Sequence, residues 1–186
     1  YGVVHNLDSL AMLPLRDDPK WIIGFSDISA LHALMASKGI ASIHASMAKQ
    51  VMLGPEDELN SYLFDILQGR FPTYRFAPSE CNHLGHAEGK LLGGNLAVIA
   101  DLIATPFDII QPGTILFIED VSEPIYKIER IIYQLRLMGI LPKLKGLILG
   151  QFTDYKPDKV HESMEQMLAE ALAPYPDLPV AFGAPI

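Results

Sequence analysis

The chain has 186 residues, of which 49% are hydrophobic and only 19% are charged, and this is enough for one full core or two small lobes. The formal net charge of −8 argues against a nucleic-acid or anionic-membrane surface. The single cysteine, Cys81, excludes an internal disulfide, so either the compartment is reducing or the fold needs no disulfide. No apolar run approaches the roughly 18 residues of a membrane span, so we expect neither a membrane nor a nucleic-acid partner.

After a short helix predicted near residues 7–13, an apolar strand over residues 21–25 runs directly into Ser26. Helical spacing of apolar residues begins at Ile28 and stops at Gly39. A serine between a strand end and a helix start exposes its hydroxyl, and the adjacent N–H groups face any oxyanion formed there. The pattern predicts a nucleophile elbow, although Ile28 stands where G-x-S-x-G has glycine; a serine that only caps the helix is the alternative.

The next short strand, over residues 41–44, ends in His44. That histidine is either a base for Ser26 or a side chain that satisfies local hydrogen bonds, and the sequence leaves both open. Pro55 and the acidic residues after it predict the start of a further helix, which Gly69 ends.

Residues 71–90 lose helical periodicity and are rich in Pro, Ser, Asn, His and Gly. We expect this segment to be a linker between lobes at residues 1–70 and 91–186. Within it, Cys81, His83 and His86 have the types but not the number of ligands that a closed zinc site needs. We therefore expect no metal.

Gly93, Gly94 and Asn95 precede a helix predicted over residues 96–104. Free N–H groups at a helix start favour an anion, so these three residues are substrate-binding candidates. A tight turn that permits close packing is the alternative.

A buried strand over residues 114–118 is followed by Glu119, Asp120 and Glu123. Helices over 124–138 and 161–172 then alternate with strands over 145–151 and 178–182. Because ligands of open α/β sheets bind outside the carboxyl ends of the strands, Ser26 and a carboxylate of this group can share one cleft. Spacing does not choose among the three carboxylates, and it offers no convincing histidine.

Four segments together resemble the LD-carboxypeptidase family of serine peptidases, which act on muropeptides. They lie at residues 24–32, 91–107, 115–135 and 144–154 and read GFSDISALH, LLGGNLAVIADLIATPF, ILFIEDVSEPIYKIERIIYQL and LKGLILGQFTD. The resemblance implies an α/β fold in two lobes: the remnant of a doubly wound N-terminal lobe and an incomplete C-terminal α/β lobe. It also implies a bacterial cytoplasmic protein and a homodimer.

The family uses a Ser-Glu-His triad, which the resemblance places on Ser26 and Glu119. The N–H of Asp27 would form half of the oxyanion hole, and an R-G-G-Y-G turn, of which Tyr1-Gly2 remain, would form the other half. The triad histidine belongs to a G-x-P-x-G-H motif that residues 183–186 begin. No metal or organic cofactor is implied.

By resemblance, the intact protein hydrolyses the L,D bond to terminal D-alanine in murein tetrapeptides, as part of cell-wall recycling. The chain looks cut at both ends, and without the triad histidine we expect it to be inactive. Two alternatives remain: an acyl-aminoacyl-nucleotide hydrolase of the microcin C self-immunity type, and a non-catalytic α/β module that binds a peptide.

Overall fold

The computed structural model describes residues 2–185, which contain six short strands in two parallel sheets. The first sheet consists of β1 (Ile23–Gly24) and β2 (Ile43–His44). The second has the order β3-β4-β5-β6, with bounds β3 (Leu91–Asn95), β4 (Ile115–Val121), β5 (Gly146–Thr153) and β6 (Val180–Phe182). Every neighbouring pair of these strands is parallel. This confirms the predicted α/β class.

Seven helices connect or flank the strands within the same residues. They are α1 (Leu7–Ala11), α2 (Ser29–Ser37), α3 (Ala48–Leu53), α4 (Glu58–Leu67), α5 (Leu96–Ala100), α6 (Ile125–Leu137) and α7 (Met164–Leu172). Short 3-10 turns cover Val3–Asn6, Ser26–Ile28 and Leu141–Lys143. Because α5, α6 and α7 each follow one strand of the larger sheet, consecutive strands can run parallel.

The apolar face of each crossover helix forms the core. In α6 the buried residues recur at helical spacing, at Ile125, Ile128, Ile132 and Leu135. The hydrophobic cluster that contains them also includes Leu34 of α2. Residues of both expected lobes therefore pack into one continuous core, while the boundaries predicted from the sequence stay a prediction.

The predicted linker is irregular but not loose. Residues 68–90 contain no helix or strand, and His83 forms an antiparallel bridge with Val180 of the edge strand β6, with N–O distances of 3.0 and 3.1 Å. The Asn82 carboxamide oxygen accepts from Phe182 N at 2.8 Å. These bonds occupy backbone groups on the open side of β6, one of the two edge strands of the larger sheet.

Three elements differ from the sequence prediction. Gly93 and Gly94 lie inside β3 rather than at the start of a helix, since they pair with Phe117 and Ile118. The helix after them ends at Ala100 instead of residue 104, and residues 101–104 form turns that finish at the left-handed backbone of Ala104 (φ 63°). Helix α3 was not predicted, since Met52 and Leu53 are exposed and show no buried stripe.

No helix of residues 2–185 combines the length and the apolar character that a membrane crossing requires.

Candidate active site

Ser26 lies at a sharp strand-to-helix turn. Phe25 is extended, and Ser26 begins the 3-10 turn with a left-handed backbone, at φ 59°. Such a conformation costs a non-glycine residue about 1–3 kcal/mol, and residues that adopt it cluster at active sites and ligand clamps. The side chain is exposed and forms no hydrogen bond to any residue of 2–185. Its hydroxyl is therefore available to a ligand.

The structure explains why the elbow tolerates Ile28 in place of glycine. Gly24 leaves the space that Ile28 fills, because a Cβ at Gly24 would lie 3.0 Å from Cγ1 of Ile28. The 3-10 turn closes with a bond from Ile28 N to Phe25 O at 3.2 Å. The small residue needed for a tight turn thus stands before the serine instead of after it.

His32 of α2 holds the strand that delivers Ser26. Its Nε2 lies 2.9 Å from Gly24 O, and its Nδ1 lies 2.9 Å from the hydroxyl of Ser42. Since a carbonyl only accepts, Nε2 carries the proton and Nδ1 accepts from Ser42. Burial lowers the pKa of His32, which keeps this imidazole neutral. No pattern in the sequence predicts this role.

Ser29 joins the elbow to the larger sheet. Its buried hydroxyl oxygen accepts from the backbone N–H of Asn95 at 2.9 Å. Gly94 makes this approach possible, because a Cβ there would lie only 2.5 Å from Ser29 Oγ. The turn at Ser26 and the end of β3 are consequently held together.

Among the three candidate carboxylates, the structure separates the roles clearly. Asp120 accepts from Asn95 Nδ2 at 3.0 Å, Ala97 N at 2.8 Å and Val121 N at 2.8 Å. Glu123 pairs with Lys127 near the surface, at 2.7 Å. Both carboxylates are committed to structural contacts.

Glu119 is the third carboxylate, and it is only 3% exposed. Its Oε1 is buried and has no hydrogen-bond partner among the described residues. Burial, followed by the charge of Asp120, raises the pKa of Glu119 to about 7, and a bond from Asn95 opposes the shift. The register of the two strands shifts at Glu119: Ile118 pairs with Leu149 and Asp120 pairs with Phe152, so β5 has one extra residue. Such a β-bulge changes the direction of nearby side chains and is common beside active sites.

His44 is the imidazole nearest to Glu119. Its Nε2 lies 3.9 Å from Glu119 Oε1, and its ring meets Phe117 edge-on at 5.1 Å between centroids. Burial, and to a smaller extent the nearby His32, lowers the pKa of His44 to about 4. The contact is therefore not a charge pair at neutral pH, although its distance is that of an ion pair.

The structure brings Ser26, His44 and Glu119 to the same end of the two sheets. Gly24 pairs with His44, Asn95 pairs with Glu119, and the turn that begins at Ser26 contacts β3. His44 Nδ1 is buried without a partner among the described residues. The structure thus places His44 beside the carboxylate rather than on the serine hydroxyl.

The three substrate-binding candidates have packing roles. A Cβ at Gly93 would lie 1.8 Å from Phe117 O, so glycine is required for the pairing of β3 with β4. The carboxamide oxygen of Asn95 accepts from Val98 N at 3.2 Å and caps α5. The expected placement of both glycines at a helix N-terminus is wrong, while a role in substrate binding stays a prediction.

The histidine- and cysteine-rich loop has structural contacts of its own. His83 Nδ1 lies 3.1 Å from Tyr175 O, and the exposed His86 lies 3.5 Å from Glu88. Residues 2–185 contain no group of three or more His, Cys, Asp or Glu side chains arranged to hold a metal ion.

Asp27 is anchored through its carboxylate, which accepts from Val3 N at 3.0 Å. Its assignment to the oxyanion hole stays a prediction. The expected glycine turn at Tyr1-Gly2 and the motif at residues 183–186 each include one residue, Tyr1 and Ile186, that lies outside the described residues.

Comparisons with known proteins agree on one family. A family model described as the LD-carboxypeptidase C-terminal domain matches residues 88–186, and one described as the LD-carboxypeptidase N-terminal domain matches residues 1–45. The chain is 34% identical to a probable murein peptide carboxypeptidase of Bacillus subtilis over 163 residues, covering 84% of this chain and 51% of the relative. It is 32% identical to the murein tetrapeptide carboxypeptidase of Pseudomonas aeruginosa, covering 89% and 59%.

Solved structures show the same fold. A muramoyltetrapeptide carboxypeptidase from Oxalobacter formigenes superimposes with a TM-score of 0.73 at 28% identity, covering 92% of this chain and 60% of that one. The microcin C7 self-immunity protein superimposes with a TM-score of 0.74 at 21% identity, covering 95% and 63%. The chain spans about half the length of the curated relatives it matches. Since one family model alone matches more than half of its residues, the chain belongs to the LD-carboxypeptidase family.

Proposed function

We propose that the intact protein is a serine carboxypeptidase that hydrolyses the L,D bond to the terminal D-alanine of murein tetrapeptides. The observation that carries the proposal is the exposed Ser26 in a left-handed backbone between β1 and α2. A strained, exposed serine at a strand-to-helix turn is the arrangement of an activated nucleophile. Family membership supplies the substrate class.

In the proposed mechanism, Ser26 Oγ bonds to the peptide carbonyl carbon while its proton passes to the triad histidine. We assign that histidine to the family motif that residues 183–186 begin. The C–N bond then breaks, and the histidine returns the proton to the departing amine of D-alanine. Water releases the acyl group from Ser26 by the same steps in reverse. The N–H of Asp27 stabilises the oxyanion.

Glu119 is the proposed partner of the triad histidine. Two observations support it over its neighbours: Asp120 accepts three hydrogen bonds, and Glu123 pairs with Lys127. A buried carboxylate stabilises the imidazolium that forms when the histidine takes the proton. Loss of the base in a serine triad costs on the order of 10⁶ in turnover, so we expect the 186-residue chain alone to be inactive.

The remaining parts of the proposal depend on family membership. They are the cytoplasmic site of murein recycling and the homodimer. Recognition of the substrate carboxylate at Gly93, Gly94 and Asn95 depends instead on the N–H groups near the start of α5. This recognition needs backbone groups, because the Asn95 side chain already caps α5 and contacts Asp120.

A second candidate function is hydrolysis of acyl-aminoacyl nucleotides. It is favoured by a match to the microcin C7 self-immunity protein of Escherichia coli, which is 37% identical over 68 residues, 36% of this chain. In both candidate functions Ser26 is the nucleophile, and the two differ in the substrate that binds beside it.

The deciding experiment uses the full-length gene product with a murein tetrapeptide and, separately, an acyl-aminoacyl nucleotide. We expect the peptide to lose one alanine, as detected by mass spectrometry, and we expect Ser26→Ala to abolish this loss. Cleavage of the nucleotide alone would favour the second candidate. Binding of the peptide without cleavage would identify a non-catalytic module and contradict both.

A further inference from the structure

We propose that His44 is a positioning residue for Glu119: its Nε2–H donates to Glu119 Oε1 and leaves the other carboxylate oxygen to the triad histidine. This inference rests on the proposed function, because Glu119 has a catalytic partner only in the serine mechanism. It gives His44 a role that differs from that of a base for Ser26.

The geometry confines both groups. The side chains of His44 and Glu119 are 15% and 4% exposed, with 3.9 Å between Nε2 and Oε1. Phe117 lies two residues before Glu119 on β4, and its ring meets that of His44 edge-on. A side-chain movement that shortens this distance by about 1 Å brings Nε2 and Oε1 into hydrogen-bond distance. The ring of Phe117 therefore holds the imidazole of His44, which belongs to β2, against β4, the strand that carries Glu119.

The pattern of unpartnered atoms selects the tautomer. Glu119 Oε1 and His44 Nδ1 are both buried without hydrogen-bond partners among residues 2–185. A neutral imidazole carries one proton, on Nδ1 or on Nε2. A proton on Nδ1 would bury an unpaired donor facing Gly94, whereas a proton on Nε2 satisfies the carboxylate oxygen. The Nε2–H form therefore satisfies more of the buried groups.

The surrounding groups keep His44 neutral. The titratable side chains that face the pair are His32 on α2, at 5.9 Å between ring centroids, and Asp120 beside Glu119 on β4. His32 is committed to Gly24 and Ser42. Asn95 on β3 adds a neutral amide. A neutral donor stabilises the ionised form of Glu119 without competing with the triad histidine for its charge.

This role makes a prediction about the acid side of the pH profile. A donor lost from a buried carboxylate raises its pKa, so less Glu119 is ionised at low pH. In His44→Leu the pKa of Glu119 rises by about one unit from about 7, and the ratio of kcat/KM at pH 6 to that at pH 8 falls about fivefold. In His44→Gln, whose amide nitrogen replaces Nε2–H, both values stay near those of the wild type.

The test uses the full-length gene product with two readouts. The first is the pH profile of murein tetrapeptide hydrolysis by His44→Leu and His44→Gln. The second is the Glu119 pKa from carboxyl ¹³C NMR in a Ser26→Ala background, assigned with Glu119→Gln, which requires no activity. If His44→Leu does not fold, His44→Asn removes the same donor, because its amide reaches only the Nδ1 position.

A raised Glu119 pKa in the loss variant and its recovery in His44→Gln would support the proposal. An unchanged pKa in both variants would overturn it, whatever the activity. If the NMR shift occurs while the wild-type protein cleaves no tetrapeptide, the contact between His44 and Glu119 stands and the proposed function fails.

Discussion

Replacement of Gly94 by alanine tests whether the elbow is held by the sheet. The new Cβ would lie 2.5 Å from Ser29 Oγ and 2.9 Å from Ser29 Cβ, at a backbone φ of +144° that side chains rarely adopt. Relief of these contacts needs a displacement of roughly 0.5–1 Å, which costs about 1–3 kcal/mol by overpacking. Loss of the bond from Asn95 N to Ser29 Oγ leaves a buried donor unpaired and costs about 1–3 kcal/mol more.

We expect Gly94→Ala to lower the melting temperature by roughly 5–20 °C, since 1 kcal/mol corresponds to about 2–4 °C in a chain of this size. Circular dichroism melts measure this on the 186-residue chain. The matched control is Gly146→Ala, at a buried strand glycine whose added Cβ would meet its nearest atoms at 3.5 Å. The control should stay within about 2 °C of the wild type.

A second variant separates the contact from general strain in β3. Ser29→Gly removes both atoms that would lie within 3.0 Å of the new Cβ, so adding Gly94→Ala to Ser29→Gly should cost less than Gly94→Ala costs alone. A melting temperature of Gly94→Ala within 2 °C of the wild type would refute the reasoning. Full additivity of the two substitutions would show that the cost arises elsewhere.

Three further predictions concern the site itself. Ser26→Gly should raise stability by about 1 kcal/mol in thermal melts, because glycine adopts φ 59° without strain; unchanged or lower stability contradicts a strained elbow. Asp120→Ala should lower the free energy of unfolding by about 2–4 kcal/mol, since the buried amide of Asn95 and the half-buried N–H of Ala97 lose their acceptor, while Asp18→Ala, at an exposed carboxylate, should change little. The pKa of Glu119, raised from 4.5 to about 7 by burial, means that its contribution to stability is fully present below pH 4.5 and is lost as pH rises through 7. Glu119→Gln should therefore gain stability relative to the wild type between pH 5 and 8, on the order of 3 kcal/mol, and a pH-independent difference in melting temperature contradicts the shift.

The elements that the sequence predicted best are those with a buried periodic face. The spacing of Ile125, Ile128, Ile132 and Leu135 gave the helix that α6 forms, with bounds one residue shorter at each end. The apolar run that predicted β4 marked its start but stopped short of Glu119 and Asp120. Both carboxylates continue the strand as buried residues, and tertiary packing rather than polarity decides where it ends.

The parts of the site that could not be predicted depend on contacts between distant segments. Ser29 and Asn95 are 66 residues apart, and no local pattern links them. No sequence pattern assigned a role to His32, yet it anchors the strand before the elbow. Glycine is typical of tight turns, and it also occurs in a strand where another backbone or side chain approaches closely. The sequence does not distinguish these cases for Gly93 and Gly94, because the close neighbours, Phe117 and Ser29, lie far away along the chain.

The bridge between His83 and β6 has a consequence for the state of the protein in solution. An outermost strand with open N–H and C=O groups is a template on which another chain can add, and that is a common start of aggregation. Here Val180 exchanges both backbone bonds with His83, and Asn82 occupies the N–H of Phe182. Residues 82 and 83, in the irregular segment before β3, therefore occupy backbone groups of β6 to which a strand of another molecule would otherwise bind.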